Sequence, residues 1–246
     1  MKKVESREPE EWQAGQDERE GRGLGLIRIA TLCRRLRKTH GAVQWPEQLP
    51  VLDELVATVL SQNTSDANSS AAFKELRRRF PDWDAVRQAT VARIARAIRR
   101  GGLSQQKAPR IKTILQQIHE ERGESSLEFL RDRPPSEAMA YLSAFPGVGP
   151  KTAACVLLFA CRQPILPVDT HVHRVSRRIG LIGPKTDAVR AHEQLAAMVP
   201  PRLVLDFHIL LIRHGRTVCR AGRPACEECV LLDACPEGHR RMQDVF

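Results

Sequence analysis

The chain of 246 residues is long enough to bury a hydrophobic core as one large or two small domains, and it carries a formal charge of +10. No apolar run reaches the length of a membrane span, and the opening MKKVESREPEEW lacks the apolar region of a signal peptide. A soluble cytoplasmic protein (nucleoid-associated, if bacterial) with no membrane partner is therefore expected. The first 22 residues hold five basic and seven acidic side chains, so the rest carries +12, an excess suited to a polyanion such as nucleic acid or a ribosome. Only eight of the 39 basic residues are lysine, so arginine is the ordinary cation of this chain. A lysine at a special position is then chosen for something other than charge, because an amine can be tuned to lose its proton and a guanidinium cannot.

In chain order, residues 1–22 are charged and nearly free of apolar side chains, which predicts a solvated, disordered tail. A helical pattern begins at Leu24 with Leu26, Ile27, Ala30 and Leu36, and Gly41 stops it. Residues 51–60 put Leu52, Leu55, Val56, Val59 and Leu60 on one helical face. The polar stretch 61–66 follows, then a helix over 67–80. Asp82 and Thr90 are suited to cap helices over 83–88 and 91–99. Gly101-Gly102-Leu103 breaks the pattern, after which Ser104 is placed to cap an amphipathic helix carrying Ile111, Ile114, Leu115 and Ile118. Further helices fit 127–131, 136–145, 151–160, 170–179, 188–198 and 202–214. No segment alternates with period 2 between hairpin signals, so the chain is expected to be all-α.

The stretch from 142 to 175, LSAFPGVGPKTAACVLLFACRQPILPVDTHVHRV, concentrates the chemistry. Gly147-Val148-Gly149 makes a tight turn between two helices, and Pro150 opens the second. Gly147 and Gly149 can take positive φ and let a phosphate come close, and N–H groups at a helix start suit an anion. Lys151 follows in the first helical turn. Asp169 comes eighteen residues later, where an extended Pro167-Val168 step meets a new helix, and aspartate is also a favoured N-cap.

Four of the seven cysteines form Cys219-x6-Cys226-x2-Cys229-x5-Cys235. Disulfides are disfavoured because nothing indicates secretion. Structural zinc prefers two separated Cys-x2-Cys pairs and only one is present, while four thiolates on one short loop can wrap an iron–sulfur core. Spacing alone leaves zinc and iron–sulfur open. Cys33, Cys155 and Cys161 lie in apolar helical surroundings and read as small core residues.

From about Leu24 onward the chain resembles the endonuclease III-like DNA glycosylases, of the helix-hairpin-helix and Gly-Pro-Asp superfamily. The resemblance rests on LPVLDELVATVLSQNTSD, GGLSQQKA, FPGVGPKTA, VDTHVHRV, HGRTVC and the four cysteines, in that order. It implies two helical lobes with a DNA-binding cleft between them. One lobe would span about 43–155 and carry the hairpin; the other would join 23–42 to 156–246 and carry a [4Fe-4S] cluster on Cys219, Cys226, Cys229 and Cys235. Lys151 would be the Schiff-base nucleophile and Asp169 the catalytic carboxylate, the amine being tuned downward by the positive end of its helix. The hairpin of Gly147, Val148 and Gly149, together with Arg220 and Arg223, would contact DNA backbone, and His171 would either do the same or support its own loop.

Leu103 would wedge into the opposite strand beside Gln62 or Asn63. There SQNTSD is closer to the plant 5-methylcytosine glycosylases, which leaves the preferred lesion open. The implied activity is removal of oxidised pyrimidines from damaged double-stranded DNA by a monomer, followed by strand nicking 3′ to the abasic site. Two alternatives stand beside it: a mismatch or alkylated-base glycosylase on the same scaffold, and a non-catalytic iron–sulfur DNA-binding protein.

Overall fold

The structure, a computed structural model, describes residues 28–243. The charged tail 1–22, and the start of the first helical pattern up to Ile27, lie outside the described residues. Twelve α-helices follow in order: α1 (Ile29–His40), α2 (Val51–Ser61), α3 (Asp66–Arg79), α4 (Trp83–Gln88), α5 (Val91–Ala97), α6 (Ser104–Arg122), α7 (Pro135–Ser143), α8 (Pro150–Phe159), α9 (Thr170–Arg178), α10 (Ala188–Met198), α11 (Val204–Thr217) and α12 (Pro236–Gln243). No strand occurs among the described residues, and no single helix there is long and apolar enough to cross a membrane.

Side-chain caps start five of the twelve helices, at Ser65, Asp82, Thr90, Asp169 and Asp187. Asp82 accepts from the Ala85 N–H (2.7 Å) and Thr90 from the Arg93 N–H (3.4 Å), as their positions predict. Ser104 does not cap α6. Leu103 holds the cap position in the left-handed region (φ 49°), and Ser104 is already the first helical residue. The helix expected over 127–131 is a short 3-10 turn, Glu128–Asp132, too brief to close α-type bonds. α11 runs three residues past the expected end at His214, which carries Arg216 into reach of the other lobe. α12 had no helical signal strong enough to stand out after Cys235.

Two hydrophobic cores define two lobes. The first gathers α2 to α8, with Leu55, Val59, Leu76, Ile94, Ile111, Leu115 and Leu142 fully buried. The second joins α1, through Leu32 and Leu36, to α9, α10 and α11, through Val172, Val175, Leu195, Phe207 and Leu211. The lobes meet along α8. Val156, Leu157 and Ala160 pack in the first core while Leu158 packs in the second, so the division expected at 155/156 runs through the body of that helix. Across the junction, Arg216 on α11 forks onto Asp66 at the start of α3 (2.6 and 3.2 Å).

Candidate active site and nucleic-acid interface

Helix spacing builds the cleft. α8 turns Lys151, Cys155 and Phe159, four residues apart in succession, onto one face. Opposite stand Glu54 and Thr58 of α2, Asp66, and His208, Ile212 and Arg216 of α11, around an open cleft of about 500 Å3. Asp169 closes the same cleft from the start of α9. Lys151 and Asp169 are thus brought to one cavity between the lobes. Asp169 is also an N-cap: its Oδ1 accepts the Val172 N–H at 2.7 Å, which fixes the carboxylate. Capping and facing the cleft are one arrangement.

The surrounding groups set the field. Burial pushes the Glu54 carboxyl up, against the Thr58 hydroxyl that donates to it and the charges of Lys151 and Arg162. The hydrogen bond from Arg216 holds Asp66 below the usual carboxylate range, with Lys151 and His171 adding to it. His208 is buried behind Asp169, its Nδ1 bonded to the Pro167 carbonyl at 2.9 Å. Burial lowers its pKa to about 4, although the Asp169 charge pulls the other way.

The rim carries the hairpin and two loop tips. Gly147 takes φ 73°, which only glycine adopts without strain, and the Arg110 side chain lies where a Cβ would stand. Gly149 does not need that freedom. It is extended (φ −92°) and serves as the cap position of α8. Val148 turns its side chain into the first core, and its N–H is taken by the Phe145 carbonyl (3.1 Å), so of the three hairpin residues it is the one held inward. Gln62 caps the end of α2 and reaches the hairpin: its Nε2 donates to the Gly147 carbonyl (3.0 Å) and Thr152 Oγ1 (3.2 Å), and its Oε1 accepts from Arg110 (3.0 Å). Asn63 beside it is exposed at φ 54°. Leu103 is 45% exposed.

The cysteine loop is held largely by arginines. Arg178 donates to the carbonyls of Arg220 (2.7 Å) and Ala221 (2.8 Å) and to Cys219 Sγ (3.3 Å). Arg174 donates to the Gly215 carbonyl (2.8 Å) and to Cys219 O (3.2 Å), and contacts His171 Nδ1 (3.1 Å). His171 therefore braces α9 against α11. A Cβ on Gly215 would fall 3.0 Å from His171 Cβ, so glycine permits this crossing. His173 points elsewhere, to the Thr186 carbonyl (2.8 Å). Arg220 and Arg223 are exposed on the loop.

Cys219, Cys226, Cys229 and Cys235 line one apolar cavity with Ile179, Val218 and Leu232. Among the described residues no three of His, Cys, Asp and Glu converge on a single metal-ion position. Burial raises the thiols of Cys226 and Cys235 and pushes Cys229 to about 11. Thiolates there require a cationic partner. The Gly238 N–H donates to Cys235 Sγ at 3.3 Å, and a Cβ on Gly238 would meet Leu232 at 2.9 Å.

Glu54, Cys155 and His208 belong to the cleft but were not legible as such. Cys155 is buried, as a core residue would be, yet it sits one turn below Lys151 on the cleft face. That spacing from Lys151, and the placement of Glu54 one turn before Thr58, were the available signals.

Residues 56–201 match the model of the HhH-GPD superfamily of base excision DNA repair proteins. An endonuclease III of Sulfolobus acidocaldarius is 35% identical over 75% of this chain and 81% of its own length. The "Putative DNA glycosylase At3g47830" of Arabidopsis thaliana is 42% identical over 69% of this chain, which spans 58% of that plant protein. A trapped covalent intermediate of an endonuclease III with DNA superposes with a TM-score of 0.74 and 27% identity, over 88% of this chain and all of that one. The chain therefore belongs to the HhH-GPD superfamily of base excision DNA repair proteins and is endonuclease III-like.

Proposed function

We propose that the chain is a bifunctional DNA glycosylase and AP lyase that extrudes an oxidised pyrimidine from damaged double-stranded DNA, acting as a monomer. One observation carries this reading: Lys151 and Asp169 line a single cleft between the lobes, under a rim of hairpin and exposed loop tips. A base inside the stack is out of reach, so it is turned out into the cleft at a cost of a few kcal/mol. Leu103 and the Gln62–Asn63 tip fill the vacated space, and Gly147, Gly149, Arg220 and Arg223 grip backbone.

The glycosidic bond breaks with its electron pair leaving on the base, and positive charge develops on the sugar facing the Asp169 carboxylate. The neutral Lys151 Nζ forms the bond to C1′ and loses a proton, and opening of the sugar ring yields the imine. Loss of a C2′ proton then expels the 3′ phosphate, and water hydrolyses the imine to free the lysine. An ammonium has no lone pair, so the attacking form of Lys151 is the free amine.

Cys219, Cys226, Cys229 and Cys235 would hold a [4Fe-4S] cluster. Four thiols around one apolar cavity, none of them converging on a single-ion position, fit a core in which each thiolate serves its own iron. The cluster would supply the cation that buried thiolates need, and it would fold the loop that presents Arg220 and Arg223.

Borohydride reduction of the imine tests the reading. Wild-type protein mixed with duplexes containing thymine glycol, dihydrouracil or an abasic site is expected to give a covalent adduct, and Lys151→Ala is expected to lose it by at least about 10^3-fold. An adduct that survives in Lys151→Ala would overturn the assignment. Adducts on mismatched or alkylated duplexes, with none on oxidised pyrimidines, would move the substrate to the alternative glycosylase class.

A further inference from the structure

One lysine is buried outright. Lys107, in the first turn of α6, is 2% exposed, and its Nζ donates to the Leu60 carbonyl at 2.7 Å and the Gly101 carbonyl at 2.8 Å. Both acceptors are main-chain. Leu60 O is one of the last carbonyls of α2, which no intrahelical N–H satisfies. Its neighbours are served locally: Ser61 Oγ donates to Thr58 O (2.8 Å) and the Gln62 N–H to Val59 O (3.3 Å). Gly101 is the last residue of the 3-10 turn Arg99–Gly101, whose own bonds go to the carbonyls of Ile98 and Arg99. A cation at the end of a helix also meets the negative pole of its dipole.

These two carbonyls are the stems of the two rim tips. Two residues beyond Gly101 is Leu103, and two beyond Leu60 is Gln62, with Asn63 next. Asn63 (φ 54°) and Leu103 (φ 49°) are two of the three non-glycine residues with positive φ among the described residues, so both tips are held in a conformation that side chains disfavour. The stems also touch each other. A Cβ on Gly101 would lie 3.9 Å from the Leu60 carbonyl oxygen, and one on Gly102 would lie 4.0 Å from Thr64 Oγ1. One turn further along α6, Arg110 holds Gln62 and covers Gly147.

We propose that Lys107 is a positioning residue that fixes the Gln62–Asn63 tip and the Leu103 tip at one separation, so that both enter the duplex as a single two-pronged wedge. This rests on reading the tips as the parts that replace the extruded nucleotide. An ammonium suits the task because its donors can satisfy carbonyls from two directions, whereas a planar guanidinium is committed to one fork. The lysine also stands on the apolar face of α6, in line with Ile111, Leu115 and Ile118, where a charged residue is out of place unless it is satisfied inside.

The test compares a substrate that must be unstacked with one that need not be. Lys107→Met, Leu103→Ala and the double variant are assayed on a duplex abasic site, with 2-aminopurine next to it reporting extrusion, and by borohydride trapping on a single-stranded abasic oligonucleotide. Lys107→Met is expected to lower the duplex rate and the extrusion signal about 30-fold while changing single-strand trapping less than about 3-fold. In the Leu103→Ala background its effect on the duplex should largely vanish, since both changes disable one wedge. Equal losses on the two substrates, or additive losses in the double variant, would overturn the inference and leave the wedge reading intact. A Leu103→Ala variant with an unchanged duplex rate would overturn the wedge reading, and the inference with it. Should Lys107→Met fail to fold, Lys107→Gln, which keeps a neutral donor for one carbonyl, undergoes the same comparison.

Discussion

The two lobes hold their exposed loops by different means. In the first lobe the loop stems rest on a closed apolar core, and one buried ammonium and one arginine of α6 tie them together. In the second, residues 219–235 contribute only Leu231 and Cys235 as buried hydrophobics, and Arg174 and Arg178 hold the main chain of the loop from outside. The first arrangement is complete in its own side chains. The second gathers four thiols, and burial disfavours the charged forms of Cys226, Cys229 and Cys235, so its stability depends on what they bind.

Removing a thiol breaks that contrast most visibly. With the proposed cluster in place, Cys219→Ser is expected to cost the iron content of the purified protein, and to leave residues 219–243 open to amide hydrogen exchange while α2 to α7 stay protected. Uniform exchange across both lobes would show that the lobes fold as one unit.

Acid sharpens the contrast by a smaller amount. The His208 pKa is depressed to about 4 in the folded chain against 6.5 unfolded, so the unfolded state binds the extra proton between those values. Its contribution is whole above pH 6.5 and is lost as pH falls toward 4, by about 3 kcal/mol in all. Urea midpoints should therefore fall across that window, and His208→Gln should remove one proton's worth of the slope. Because His208 belongs to α11, amide exchange at pH 5 should quicken in the second lobe before the first.

The smallest effect is expected where the lobes touch through solvent. Arg216 and Asp66 are both largely exposed, so Arg216→Gln should cost about 0.2–1 kcal/mol at low salt and nothing measurable at 1 M. A larger or salt-insensitive loss would mean that the pair is part of the lobe junction itself.

Much of this was legible in the sequence. Apolar periodicity placed the helices. Gly147 and Pro150 announced the hairpin from their spacing, while the cleft that joins Lys151 to Asp169 was implied by the family resemblance. The departures share a cause: each was settled by contacts distant in sequence. Gly149 looked like a second left-handed glycine, but the start of α8 needed an extended cap there. Ser104 looked like a cap, but the two-loop junction put Leu103 in its place. Glu54, Cys155 and His208 read as ordinary helix residues because only the packing of α2, α8 and α11 turns them toward one cavity. Lys107 carried a signal that periodicity does offer, a charge on an apolar stripe, but nothing local says which carbonyls it would meet.

The sharing of α8 between the two cores has a mechanical consequence. Val156 and Leu157 are committed to one side and Leu158 to the other, so prising the jaws apart would expose both interiors at once. On the proposed function, it is then the duplex rather than the cleft that would have to deform when DNA is seated. Stiff, fully stacked DNA resists that distortion more than DNA already weakened by a lesion. On the proposed function, resistance to opening in the protein would act as a first filter for damage.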